Sequence, residues 1–320
     1  MRLPFLYALA LLVASAVLPV SGQTIGTIQS LPAHDWVKSE MGFVIFFNRR
    51  SANDAASSEV DVYAKAGQPV VNFPLLSLVP EAVSVSTTDV SIVPQQAIAV
   101  SAVYDRGSGT PTASLLLRFD FRGRLLWALD LAPSRDVEAL AEDDQGDTWT
   151  VTSGSGGEDP GTAPTVVEYD DAGKVIRELL PRATFPSDSR ATQQNAQIGP
   201  VTAGFSSGIF WFWLPASQEM VSINATSGAV KKQRLDIPRP RGAQRSWPLA
   251  VARSASGKIL AILGQSAQPR HLGYVWSPDA EVWSQFQPGP CAGDWFLGLD
   301  GGQQLYLQLH SGAVCAFKTQ

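Results

Sequence analysis

The chain has little of what most catalytic and membrane proteins are recognised by. It holds two cysteines, Cys291 and Cys315, and three histidines, His34, His271 and His310. None of the histidines stands in a zinc-binding spacing, which removes the common zinc-hydrolase signatures. No P-loop or dinucleotide fingerprint occurs. The dense glycine stretch Ser153-Gly154-Ser155-Gly156-Gly157 follows a strand pattern but opens no helix, and reads as a loop. Charge is sparse and slightly negative, 24 basic against 29 acidic residues for a net −5, which gives no general attraction to nucleic acid. After Gln23 there is no apolar run long enough to cross a bilayer and almost no sustained 3.6-residue apolar spacing. A short turn of helix near Leu75 to Val83, interrupted by Pro80, is the main exception.

The one long apolar run is at the start. Arg2 precedes Leu3 to Val20, and Pro19, Ser21 and Gly22 follow. A basic start, an apolar middle and a small-residue exit describe a secretory signal peptide. Val20 and Gly22 suit the −3 and −1 sites, so residues 1–22 are expected to be removed after Gly22; cleavage after Ala16 and a membrane anchor are the alternatives. The remainder, 23–320, is expected to be one exported domain, periplasmic or extracellular. In an oxidising compartment Cys291 and Cys315 are expected to pair, closing a loop of about 24 residues that contributes on the order of 3 kcal/mol. Two free thiols are the alternative.

What the chain has in quantity is turns. Gly and Pro make 27 and 22 of its 320 residues, and nine tryptophans punctuate short apolar runs. Two hairpin patterns alternate. The first is a strand, a tight turn closing on Gly, and a second strand, as in Val137–Ala141, Asp143 to Gly146, Thr148–Val151. It recurs around Ser206 to Gly208, Ser254 to Gly257 and Asp300 to Gly302, with weaker copies turning at Gly42 and near Gln95. The second is clearest in Leu115–Phe119, Asp120 to Gly123, Leu125–Leu129. It recurs around Asp170 to Gly173, Asn224 to Gly228, Gly67, and Ser277 to Ala280, where Ala replaces Gly. Asp or Asn caps such a turn by bonding its own backbone, and Gly takes the positive φ. Two hairpins per period give four antiparallel strands every 50 residues or so: Gly123 to Gly173 is 50, and Gly173 to Gly228 is 55. Units of that kind are propeller blades.

The expected fold is therefore all-β: a six-bladed β-propeller of four-stranded antiparallel blades. The last unit has three strands, ending in Ala313–Lys318. The segment Thr24–Ser30 is expected to complete it as the outer strand and close the ring. A β-sandwich pair is the alternative. The turns resemble those of the NHL, TolB-like and two-component-regulator propeller groups, over nearly all of the mature chain; that resemblance implies a fold and no particular activity. Glu142 to Trp149 also resembles the Asp-box of sialidase-type propellers, with Asp144, Gly146, Thr148 and Trp149 matching; in that family the box is a structural turn. The same acidic residues lack EF-hand spacing, so they read as a solvated turn, with no metal and no cofactor expected.

Alternating hairpins place the links between blades on one face, together with the loops joining second to third strands. That face is expected to carry His34, Arg106, Arg245, Trp247, His271 and Trp295, the candidate ligand-binding residues, with Asp143, Asp144, Asp170, Asp171, Asp279 and Asp300 on the opposite face. Arg offers bidentate recognition of an anion and Trp a stacking surface. A binding or scaffold module for a protein partner or small anionic ligand is the function this pattern favours. A hydrolase or lyase built from scattered loops is the alternative. The Asn224-Ala225-Thr226 sequon falls in a turn and would matter only in a glycosylating host.

Overall fold

A computed structural model gives the fold. It describes residues 23–27, 36–40, 43–47, 59–64, 68–93, 97–107, 113–131, 135–154, 162–185, 201–215, 217–238, 246–265, 271–286, 295–299, 304–308 and 313–318. The expected signal peptide, His34, Arg245, Cys291 and Asp300 lie outside them, and so does the Cys291–Cys315 pairing.

Among the described residues the chain forms six four-stranded antiparallel sheets. The first is β2 (Trp36–Glu40), β3 (Phe43–Phe47), β4 (Glu59–Ala64) and β5 (Pro69–Pro74). The second is β6 (Ser84–Val93), β7 (Ala97–Asp105), β8 (Ala113–Phe119) and β9 (Leu125–Asp130). The third is β10 (Arg135–Glu142), β11 (Thr148–Gly154), β12 (Pro164–Tyr169) and β13 (Val175–Pro181). The fourth is β14 (Thr202–Ser206), β15 (Ile209–Leu214), β16 (Glu219–Asn224) and β17 (Val230–Arg234). The fifth is β18 (Ser246–Arg253), β19 (Ile259–Gln265), β20 (His271–Ser277) and β21 (Val282–Phe286). The sixth joins β22 (Trp295–Leu299), β23 (Gln304–Gln308) and β24 (Ala313–Lys318) to β1 (Gln23–Thr27), the first described strand of the chain. In that pairing Thr24 stands opposite Cys315 and Thr27 opposite Ala313. Cys315 is the third residue of β24.

The first strands of the sheets touch in sequence: β2 meets β6, β6 meets β10, β10 meets β14, β14 meets β18, β18 meets β22, and β22 meets β2. Among the described residues, apolar seams lie between sheets one and two, two and three, three and four, and four and five. Val62 and Phe73 pack on Val90 and Phe119 across the first seam, and Phe73 and Phe119 are 4.3 Å apart. Trp149 stacks on Phe210 at 5.1 Å across the third, and Trp211 and Trp213 share an apolar cluster with Val251 and Ala261 across the fourth. Both faces of an interior sheet are covered, which is why β8 and β15 read as near-continuous apolar runs. The stretch from Leu75 is a single 3-10 turn, Leu75–Leu78, ending before Pro80.

The second hairpin pattern is built as its residues dictate. Asp170 Oδ1 accepts the N–H groups of Ala172 and Lys174, and Gly173 takes φ +83°. The Ala280 copy lacks that glycine, and the strain moves one place: Glu281 adopts φ +53° and its N–H bonds back to Ser277 O at 2.9 Å. Trp127 Nε1 donates to Asp171 O at 2.8 Å, tying the outer strand of one sheet to the turn of the next.

Candidate functional site

Antiparallel order gives each sheet two unlike rims. One rim collects the turns that join first to second strands and third to fourth strands. Those described are short and capped from within: Asp120 to Arg124, Asp143 to Asp147, Asp170 to Lys174, Asn224 to Ala229, Ser254 to Lys258 and Ser277 to Glu281. The other rim collects the links between sheets and the second-to-third connections, among them 48–58, 182–201, 235–245 and 287–294. A rigid scaffold with its long connections gathered at one end is the usual platform for recognition.

The backbone puts the described candidate residues on this loop rim. Trp247 is the second residue of β18 and His271 the first of β20. Both are paired with Gly264 of β19, so they share one row of the sheet, two strands apart. Trp295 opens β22 opposite Gln308. Arg106 follows β7. Its guanidinium donates to the Tyr104 hydroxyl and stands 3.6 Å from Asp130 Oδ2 and 3.7 Å from Glu81 Oε1. Tyr104 itself donates to Asp130 at 3.0 Å. Burial first, then this hydrogen bond, pushes the Tyr104 hydroxyl above the ordinary tyrosine range.

The expected separation of charge between the two rims needs correcting. Asp143, Asp144, Asp170, Asp171 and Asp279 do sit on the turn rim. The loop rim, however, has acids of its own: Glu81 and Asp130 face Arg106, and Asp136 accepts from Ser114 Oγ. Asp130 and Asp136 lie at strand ends and Glu81 in the link before β6.

The densest charged cluster lies on the turn rim, in the third sheet. Asp143 caps the β10–β11 turn: its Oδ1 accepts Gln145 N at 2.8 Å and Asp147 N at 2.9 Å, and its Oδ2 accepts Trp149 Nε1 at 3.2 Å. The capping acid is thus Asp143, whereas the Asp-box match had aligned Asp144, which is exposed. A five-residue turn closing on Gly146 needs its acceptor at the first position, where the N–H groups two and four residues on converge. Glu168, from β12, joins Asp143 and Asp147, with one oxygen of each of the three carboxylates within 4.8 Å of the others. Arg177 on β13 answers Glu168 through Nε and, at 2.9 Å, through Nη2, and its guanidinium lies 5.1 Å from the Trp149 ring centroid. Partial burial raises Asp147 to about 6, reinforced by the charges of Asp143 and Glu168. Oxygen-only donors of this kind suit a hard cation.

A second charged element joins sheets two and three. Arg118 of β8 reaches across the seam, its Nη1 donating to Gly146 O at 2.6 Å and its Nη2 standing 3.2 Å from Glu142 Oε2. Glu142 Oε1 accepts from Thr148 Oγ1 at 2.5 Å. Arg118, Glu168 and Arg177 escaped sequence reading because each acts from a neighbouring strand or sheet. A signal for two of them exists: Arg118 and Glu168 each stand two residues before the Asp that caps a third-to-fourth-strand turn.

No protein-family model matches the chain, and no curated protein matches it in sequence. Solved structures do share its fold. A Bacteroides fragilis protein named as a candidate exported protein is similar with a TM-score of 0.58 at 9% identity, over 95% of each chain. Regucalcin, a calcium-binding protein of Agrobacterium tumefaciens, has a TM-score of 0.49 at 12% identity, over 94% of this chain and 96% of its own. The WD40 β-propeller domain of Doa1 has a TM-score of 0.39 at 11% identity, over 93% and 97%. At 9% identity the likeness to the Bacteroides protein is one of fold alone: all-β, with four-stranded antiparallel sheets.

Proposed function

We propose that this chain is an exported, six-bladed, ring-closed propeller that acts as a non-enzymatic binding module. Each sheet is one blade, and β1 completes the last blade as its outer strand. Its loop rim takes a protein partner or a small anionic ligand. The observation that carries this reading is the inequality of the two rims. The described hairpin turns of one rim are short and satisfied by their own backbone and side chains, while the long connections all leave from the other. Arg106, Trp247, His271 and Trp295 stand at strand ends on that second rim, and His34 and Arg245 fall in connections that begin and end there. Export is supported by the basic, apolar and small-residue order of residues 1–22.

The test uses the mature chain immobilised by a C-terminal tag and exposed to envelope extract under mild crosslinking. A loop-rim variant carrying Arg245→Glu, Trp247→Ala and His271→Ala should lose the species that the wild type captures. A turn-rim variant, Asp144→Lys with Asp171→Lys, should keep them. Equal capture by all three proteins, or capture at background, overturns the reading. Turnover of a lactone, glycoside or phosphoester by the wild type would replace it with a catalytic one.

A further inference from the structure

The blades repeat a charged row, and in one of them the row is left without its counter-charge. In sheet two the row is Ala99, Arg118 and Trp127; in sheet three it is Trp149, Glu168 and Arg177; in sheet four it is Trp211, Ser222 and Lys231. Residues paired across antiparallel strands project from the same face. The row of sheet two faces sheet three, because Arg118 meets Glu142 there. The row of sheet four faces sheet five, because Trp211 shares an apolar cluster with Val251 and Ala261.

Glu142 is the last residue of β10, paired with the first residue of β11, just before the Asp143 turn. Arg253 holds the same place in sheet five: last in β18, paired with Ile259, just before the Ser254 turn. Arg118 and Glu142 neutralise one seam, and the equivalent register positions of sheets four and five are Ser222 and Arg253. Among the described residues no ion pair balances Arg253. Arg253 Nη1 is buried without a hydrogen-bond partner, and so is Trp211 Nε1 in the same seam. Burial alone acts on the Arg253 guanidinium, lowering its pKa, with no acid contributing. Lys231, at the end of the row, is exposed and has no ion pair among the described residues. Gly257 sits under the guanidinium: a Cβ built there would lie 3.7 Å from Arg253 Nη2 and 3.8 Å from Pro278 Cγ. The turn adds the hydroxyls of Ser254 and Ser256, 3.0 Å apart.

A half-buried guanidinium whose Nη1 has no partner specifies the missing group. We infer that the turn-rim end of the seam between sheets four and five, centred on Arg253, is a binding site for a small oxyanion, a phosphate or carboxylate group that occupies the place of the absent glutamate. A planar guanidinium engages two oxygens of such a group, and a serine hydroxyl adds a neutral donor. Arg253 turns outward from its half-buried position to do so. This site is on the rim opposite the proposed partner-binding loops and does not depend on that reading.

Thermal unfolding and titration calorimetry of the mature chain, with inorganic phosphate and with acetate at constant ionic strength, test it. The wild type should bind one of the two probes saturably, and the tighter of them names the chemistry. Arg253→Gln should weaken that binding about tenfold or more. Ser222→Glu, which supplies the acid internally, should raise the melting temperature and abolish the response. The absence of saturable binding by either probe overturns the site. So does an unchanged affinity in both variants.

Discussion

Arg118 and Glu142 come from adjacent sheets and form an ion pair at 3.2 Å with 4% and 0% of their side chains exposed. The pair is further satisfied by Gly146 O and Thr148 Oγ1. Removing one partner leaves a buried charge, whereas removing both leaves an apolar gap. Arg118→Met should therefore destabilise the protein by about 3–5 kcal/mol, while Arg118→Met with Glu142→Leu should recover most of that loss. Urea unfolding of the two single variants and the double variant checks this. Additive losses would mean that the two groups do not act as a pair.

Gly204 and Trp211 face each other across β14 and β15. A Cβ on Gly204 would lie 2.4 Å from Trp211 Cζ2 and 2.7 Å from Cε2, inside contact distance of a ring fixed in the fourth seam. Gly204→Ala should cost about 1–3 kcal/mol. Its cost should shrink in a Trp211→Leu background, which removes the overlapping atoms. Calorimetric unfolding of the four proteins gives the coupling.

Asp147 supplies the pH dependence. Its carboxyl is raised from 3.8 to about 6 by partial burial, then by the charges of Asp143 and Glu168. The folded state therefore holds this proton more tightly than the unfolded chain does. Stability from this group is fully present below about pH 3.8 and is lost as pH rises through about 6. Asp147→Asn should raise the melting temperature at pH 7.5 and flatten its slope between pH 4 and 6. The gain should be small because Asp147 is partly solvated and Arg177 is close by. An Asn variant less stable than the wild type at pH 7.5 would show that Asp147 carries a stabilising contact in its charged form.

How far the sequence reaches follows from the range of the forces involved. Hairpin turns are local, so Asp120, Asp170, Gly123 and Gly173 identify themselves within five residues, and their regular return gives the strand count. Strand ends slip where the turn carries no glycine signal: β6 runs from Ser84, and Val85 to Asp89 are buried although four of the five are polar. Asp89 takes part in the contact of β6 with β10 by accepting Leu140 N at 2.8 Å, a bond between residues 51 apart that no local pattern announces. The acidic cluster divides the same way. Asp143 and Asp147 lie in one turn, but Glu168 enters through strand pairing and Arg177 through a second pairing. A reading by spacing could find the turn and not its electrostatics.

The last expectation concerns how β1 and β24 hold each other. β24 would be a bare edge without β1, whose four register pairs run from Gln23 with Ala316 to Thr27 with Ala313. A chain of residues 31–320 loses those ladder bonds, each contributing about 0.5–1.5 kcal/mol net, and exposes a pairing edge. It should melt at lower temperature and self-associate. Because the missing element is one short strand, a synthetic peptide of residues 23–30 should add back beside β24 and restore the melting temperature in a dose-dependent way, as strand addition does elsewhere. A scrambled peptide should not. If the truncated chain melts as the intact one does, β24 does not depend on β1, and the sixth sheet holds with three strands.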